Sequence, residues 1–87
     1  MVYLVESYLP SPGLAGLEGV TRRVRASVDA LAREGVRLRH VRSILVPEDE
    51  MCISFYEADS PLAVSEASRR AGLPCDRVVE AIEGRST

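Results

Sequence analysis

Val36-Arg37-Leu38-Arg39-His40-Val41-Arg42-Ser43-Ile44-Leu45-Val46, then Pro47-Glu48-Asp49-Glu50, then Met51-Cys52-Ile53-Ser54-Phe55-Tyr56-Glu57-Ala58: the middle of the chain decides the fold. Val36, Leu38, His40, Ile44 and Val46 share one parity while Arg37, Arg39 and Ser43 take the other, as in a half-exposed strand. Pro47 to Glu50 is the turn, and Met51 to Ala58 returns as a second strand, so the stretch is a β-hairpin.

Each arm of the hairpin is flanked by a helical pattern. Upstream, Leu17, Val20, Val24, Val28 and Leu31 recur at helical spacing, with Arg22, Arg23, Arg25 and Asp29 largely on other faces and Gly35 placed as a C-cap. The arginines Arg22, Arg23 and Arg25 read as the solvated face of that helix. Downstream, Ser60-Pro61 is an N-cap followed by proline at the first helical position; Val64, Ala67 and Ala71 form the buried stripe, and Gly72 stops it. Beyond the helices lie two more strands. Val2 to Leu9 is rich in β-branched, aromatic and aliphatic residues and ends at the breaker cluster Pro10-Ser11-Pro12-Gly13. Arg77 to Ile82 is the last strand, after Leu73-Pro74, and the tail from Gly84 to Thr87 is expected to fray.

The order is therefore β-α-β-β-α-β, an α+β chain of the ferredoxin-like kind: one four-stranded antiparallel sheet with both helices on one face. The expectation is a single domain over residues 1–87, with an ordered core of about 2–83. The second face of such a sheet needs a cover, and in so small a chain a second copy supplies it most simply, so a homodimer is expected.

Composition removes several classes of function. No apolar run is long enough to cross a bilayer, and Glu6 interrupts the run that a signal peptide needs, so the expectation is a soluble, cytoplasmic protein with no membrane partner. The net charge of −2 lacks the basic footprint that nucleic acid requires. All 11 basic residues are arginine, so lysine-dependent catalysis is excluded. A genome biased towards G and C would explain the missing Lys and Asn without invoking function. There is no Cys-x-x-Cys for an iron–sulfur cluster and no Gly-rich loop for a nucleotide; Cys52 and Cys75 are expected as free thiols.

The polar strand residues carry what chemistry there is. His40, the sole histidine, reads either as a ligand or proton shuttle or as an ordinary strand histidine holding a backbone hydrogen bond. Cys52, Ser54 and Tyr56 share one parity and Ile53, Phe55 and Glu57 the other. The apolar set is expected to meet the helices, which leaves Cys52, Ser54 and Tyr56 on the open side, to contact a ligand or to line a dimer seam. Glu6 and Glu57 fall towards opposite ends of neighbouring strands, which argues against an acid/base pair; Arg42 or Arg77 is the expected ion-pair partner for either. Glu48, Asp49 and Glu50 read as a solvated hairpin tip, since they lack the spacing of a calcium loop.

Tyr3-Leu4-Val5-Glu6, Gly35-Val36-Arg37, Ser43-Ile44-Leu45-Val46-Pro47-Glu48-Asp49-Glu50, Phe55-Tyr56-Glu57-Ala58 and Ala71-Gly72-Leu73-Pro74-Cys75-Asp76-Arg77-Val78-Val79 together resemble the small bacterial nickel-binding, ferredoxin-like proteins, a family known chiefly as a domain of unknown function. The resemblance implies a dimeric ferredoxin-like domain and nickel binding or nickel responsiveness. With one histidine per chain, nickel would need His40 together with Cys52, a carboxylate such as Glu6, water or a second subunit. The leading reading is a cytoplasmic binding protein for nickel, another transition metal or a small molecule, with His40, Cys52 and Glu6 as its metal residues. The alternative is a cofactor-independent enzyme of the dimeric α+β barrel kind, similar to small monooxygenases and muconolactone isomerases. It would act on a small apolar substrate, with His40 or Glu6 as acid or base and Tyr56 as hydrogen-bond donor. A third reading is an interaction module in which the polar strand residues serve the dimer interface.

Overall fold

The structure, a computed structural model, describes residues 1–9, 13–75 and 77–84. Its elements are β1 (Val2–Tyr8), α1 (Gly13–Arg33), β2 (Leu38–Val46), a 3-10 turn (Pro47–Asp49), β3 (Met51–Ala58), α2 (Pro61–Arg70) and β4 (Arg77–Ala81). The strands form one four-stranded sheet in the order β2-β3-β1-β4, every pair antiparallel. This is the expected β-α-β-β-α-β, ferredoxin-like arrangement. Pro10 to Pro12 of the breaker cluster and Arg85 to Thr87 of the tail lie outside the described residues.

Local chemistry sets the ends of the helices. Gly35, at φ 87°, follows α1: its N–H donates to the Ala32 carbonyl and the Val36 N–H to that of Leu31, which satisfies two orphan carbonyls of the last turn. Gly72, at φ 73°, ends α2 the same way, with Gly72 N–H to Arg69 and Leu73 N–H to Ser68, and seats Leu73 in the core. Only a residue without a Cβ takes this left-handed conformation without strain. Ser60 caps the start of α2 by accepting from the Ala63 N–H at 3.3 Å. The core stripe of α1 is Val20, Val24 and Leu31, with Leu17 and Val28 packed at its margin; that of α2 is Val64 and Ala67, continued by Ala71.

The faces of the sheet are reversed from the expectation. Cys52, Ser54 and Tyr56 are 0%, 2% and 0% exposed and lie under the helices, whereas Ile53 and Phe55 are half-buried on the open face. In the register, Tyr56 pairs with Tyr3, Ser54 with Val5 and Cys52 with Ser7, and this second row is buried as well. The physical reason lies in side-chain size. Where two helices lie on a short sheet, small residues let the backbones approach, and Ser7, Cys52, Ser54, Ala58, Ala67 and Ser68 fill that layer. In this layer Ser7 donates to Pro74 O at 2.7 Å, and the one hydroxyl proton of Ser27 on α1 is shared between Val24 O at 2.8 Å and, across the helix pair, Ala67 O at 2.9 Å.

A second departure is in β2. The register against β3 pairs His40 with Tyr56 and Arg42 with Phe55, leaving Val41 as the extra residue of a β-bulge. Because the side-chain period of a strand is two, one extra residue exchanges the faces. Leu38 and His40 face the helices before the bulge, Ser43 and Leu45 after it, and Arg42, Ile44 and Val46 turn to the open face. The simple alternation expected from Val36 to Val46 therefore holds only up to His40.

Candidate functional site

The bulge at Val41 brings His40 and Ser43 onto the same side of the edge strand, under the flank of α1. His40 Nε2 lies 2.9 Å from Ser43 Oγ, and Ser43 Oγ lies 2.8 Å from Ser54 Oγ on β3. Cys52 Sγ, 4.0 Å from Ser54 Oγ, forms the weak inner end of this chain of polar atoms. A neutral imidazole carrying its proton on Nδ1 lets Ser43 donate to Nε2 while Ser43 accepts from Ser54.

His40 and Ser43 form the floor of an open cleft of about 460 Å³, with Thr21, Arg25 and Val28 of α1 on one side and Leu38 to Ser43 on the other. Burial, and after it the charge of Arg25, holds the His40 imidazole below its ordinary pKa, with a bond to the Arg42 backbone acting in the opposite direction. Burial likewise pushes the Cys52 thiol up, against the pull of the Ser54 and Ser43 hydroxyls, so it stays protonated at neutral pH.

The remaining expected residues are dispersed. Tyr56 contacts the His40 ring at 5.3 Å between centroids with a tilt of 55°, but its hydroxyl points into the core and does not line the cleft. Burial pushes that phenol up to about 12, slightly eased by the nearby Ser68 hydroxyl; no hydrogen bond of good geometry joins the two, and neither has another partner among the described residues. Glu6 is on the open face, opposite Ile53 on β3 and Arg77 on β4. Of His40, Glu6 and Tyr56, then, the cleft holds His40 alone, and of His40, Cys52 and Glu6 one chain brings together only the first two, joined through serines. Glu57 does take an arginine, but its partner is Arg39 at 2.9 Å rather than Arg42 or Arg77, because the two face each other directly across β2 and β3. Arg42 lies instead over the Phe55 ring, 5.9 Å from its centroid. At the hairpin tip Glu48 and Asp49 are exposed, and Glu50 accepts from the Tyr8 hydroxyl at 3.1 Å.

Two residues of the cleft were not singled out from the sequence. Arg25 reads in one dimension as one more arginine of a wet helix face. Ser43 had a weak signal, a hydroxyl in an otherwise aliphatic run three residues after the histidine, and only the bulge gives that spacing its meaning.

A family model described as nickel responsive protein, SCO4226-like, matches residues 3–81. Among solved structures, SCO4226 from Streptomyces coelicolor A3(2) is similar with a TM-score of 0.81 over 98% of this chain and 100% of that one, at 14% identity, a likeness that concerns the fold. No curated protein matches the chain. A nickel ion finds a poor donor set in one chain. Among the described residues no three His, Cys, Asp or Glu side chains gather as a metal site. The single imidazole is already engaged with Ser43 and stands beside a guanidinium, and the buried thiol is protonated. The described residues of one chain do not fit nickel.

Proposed function

The chain belongs to the SCO4226-like family of nickel responsive proteins, and from that premise we propose that it is a homodimeric, cytoplasmic binding protein whose ligand is a small molecule held between α1 and β2. The observation that carries this reading is the cleft of about 460 Å³ with His40 and Ser43 on its floor. Of the candidate metal and acid/base residues, it is His40 that lines this open space. A specific small-molecule site is a concavity with a few convergent polar groups on otherwise apolar walls. Here the convergent polar groups predominate, and Val28, Leu38 and Val41 supply the apolar part of the lining.

The homodimer rests on the open face of the sheet. Leu4, Ile53, Phe55 and Val79 form its half-buried apolar centre, and Ile44 is 44% exposed beside them. Arginines and glutamates of the same face, Arg42 and Arg77 with Glu6 and Glu57, give two copies related by a twofold axis opposite charges to set against each other. A second copy on that face would bring Glu6 to the seam but leave His40 on the far side of the sheet, so dimerisation does not complete a metal site from His40, Cys52 and Glu6.

Native mass spectrometry of the metal-stripped protein, with and without nickel, tests both parts. The expected result is a dimer that takes up no nickel at defined stoichiometry, and that becomes a monomer in Phe55→Glu. Stoichiometric nickel uptake lost in His40→Ala would overturn the small-molecule reading in favour of a metal site.

A further inference from the structure

Three arginines stand around the α1–β2 cleft, and two of them are committed elsewhere. Arg39 is paired with Glu57 at 2.9 Å, and Arg42 lies over Phe55 on the open face. Arg25 remains: exposed, lining the cleft, with no ion-pair partner among the described residues. Among the described residues no acidic side chain lines the cleft, in a chain whose net charge is −2. The cleft is therefore a local exception to the charge of the molecule, with a fixed cation on its wall, a neutral imidazole and a hydroxyl on its floor, and aliphatic side chains between them.

The groove does not end there. A second depression of about 300 Å³ shares Thr21 and Arg25 with the first and runs on along α1 to Leu17, with Glu18 and Arg22 at its rim. From Leu17 to Val28 the helix advances about 16 Å, so the combined groove is long, with Arg25 towards its Val28 end, Glu18 and Arg22 along the extension, and Leu17, Val28 and Leu38 as apolar surface.

On the premise that the cleft is the binding site, we propose that its ligand is an organic carboxylate with an aliphatic tail. The carboxylate is held by the Arg25 guanidinium in a charge-assisted, two-pronged hydrogen bond, with the Ser43 and His40 edge as a further polar contact, and the tail lies along the apolar part of the groove. A planar guanidinium matches a carboxylate in geometry as well as charge, which an ammonium does not. A metal cation is disfavoured in the same place by that same charge. Neutral ligands of similar shape would leave Arg25 partly desolvated and unpaired, and this is the source of the selectivity.

The test is a titration of the isotopically labelled protein, observed through its backbone amides, with octanoate and separately with octanamide as the neutral isostere. Octanoate is expected to shift the amides of Thr21, Arg25, Leu38, His40 and Ser43 saturably, and octanamide to bind about tenfold or more weakly, the size of one lost charge-assisted bond. Arg25→Gln should erase that difference by weakening octanoate, while Arg25→Lys, which keeps charge and loses the fork, should restore it only in part. If octanamide binds these residues as tightly as octanoate and Arg25→Gln changes nothing, the carboxylate proposal is overturned while the cleft stands as a site. If neither compound shifts these amides, the proposal is overturned together with the cleft as a site for ligands of this shape; stoichiometric nickel uptake would remove the small-molecule reading separately.

Discussion

Replacing Tyr56 by phenylalanine should make the protein more stable, although it removes a polar group from a buried aromatic. The Tyr56 side chain is 0% exposed, and its hydroxyl has no hydrogen-bond partner among the described residues; the Ser68 hydroxyl next to it is in the same position. A hydroxyl taken out of water without a replacement bond costs about 1–3 kcal/mol. Phenylalanine keeps the ring, its contact with His40 and nearly all of the volume, and forfeits only the packing of one oxygen. The net expectation is a gain of about 1 kcal/mol, which for a domain of this size raises Tm by about 4–8 °C. Urea and thermal unfolding at one fixed protein concentration measure it, so that any dimer linkage cancels. Ser68→Ala and the double variant complete a cycle: two hydroxyls not bonded to each other should give effects that add to within about 0.5 kcal/mol. A loss of 1 kcal/mol or more in Tyr56→Phe, or a coupling well above that limit, would refute the reasoning by showing the hydroxyls bonded directly or through a buried water.

Other consequences are accessible to simple assays. Cys75 is exposed and Cys52 is buried with a raised pKa, so a thiol reagent at neutral pH should modify one thiol per chain quickly and the second only on unfolding; two fast thiols would place Cys52 wrongly. Bonds from Arg69 and Arg70 hold Glu66 well below its ordinary 4.5, at about 2, so its contribution to stability is present above pH 4.5 and is lost as pH falls through about 2. The Tm difference between the parent and Glu66→Gln should accordingly be small at pH 6, since the group is exposed, and should vanish near pH 2; a difference that grows in acid contradicts the assignment. Ser27→Ala should cost about 1 kcal/mol in urea unfolding, towards the low end for a buried bond, because the Ala67 carbonyl it loses still accepts from the Ala71 N–H. No measurable loss would mean that Ser27 does not tie α1 to α2.

The site was only partly legible in the sequence. His40 stood out because it is the sole histidine, and its place on β2 followed from the hairpin. Arg25 did not stand out, because helical spacing says which residues share a face and nothing about which strand edge that face approaches. The same limit applied to Cys52, Ser54 and Tyr56: their shared parity was correct, but the side was not. An alternating strand reads identically from either face when both carry apolar residues, as β3 does with Tyr56 on one side and Ile53 and Phe55 on the other.

What the sequence determined by itself is what local backbone chemistry and periodicity control: the succession β-α-β-β-α-β, the cap at Ser60-Pro61, and the helix ends at Gly35 and Gly72, where φ of 87° and 73° suits glycine. The tertiary structure decided what depends on a partner strand or helix. The small side chains of Ser7, Cys52 and Ser54 turned one face of the sheet to the helices, and the pairing of β2 with β3 made Val41 a bulge. That bulge set Ser43 beside His40 under Arg25, three residues whose meeting no one-dimensional pattern encodes, because it depends on register and on the approach of a helix to a sheet edge.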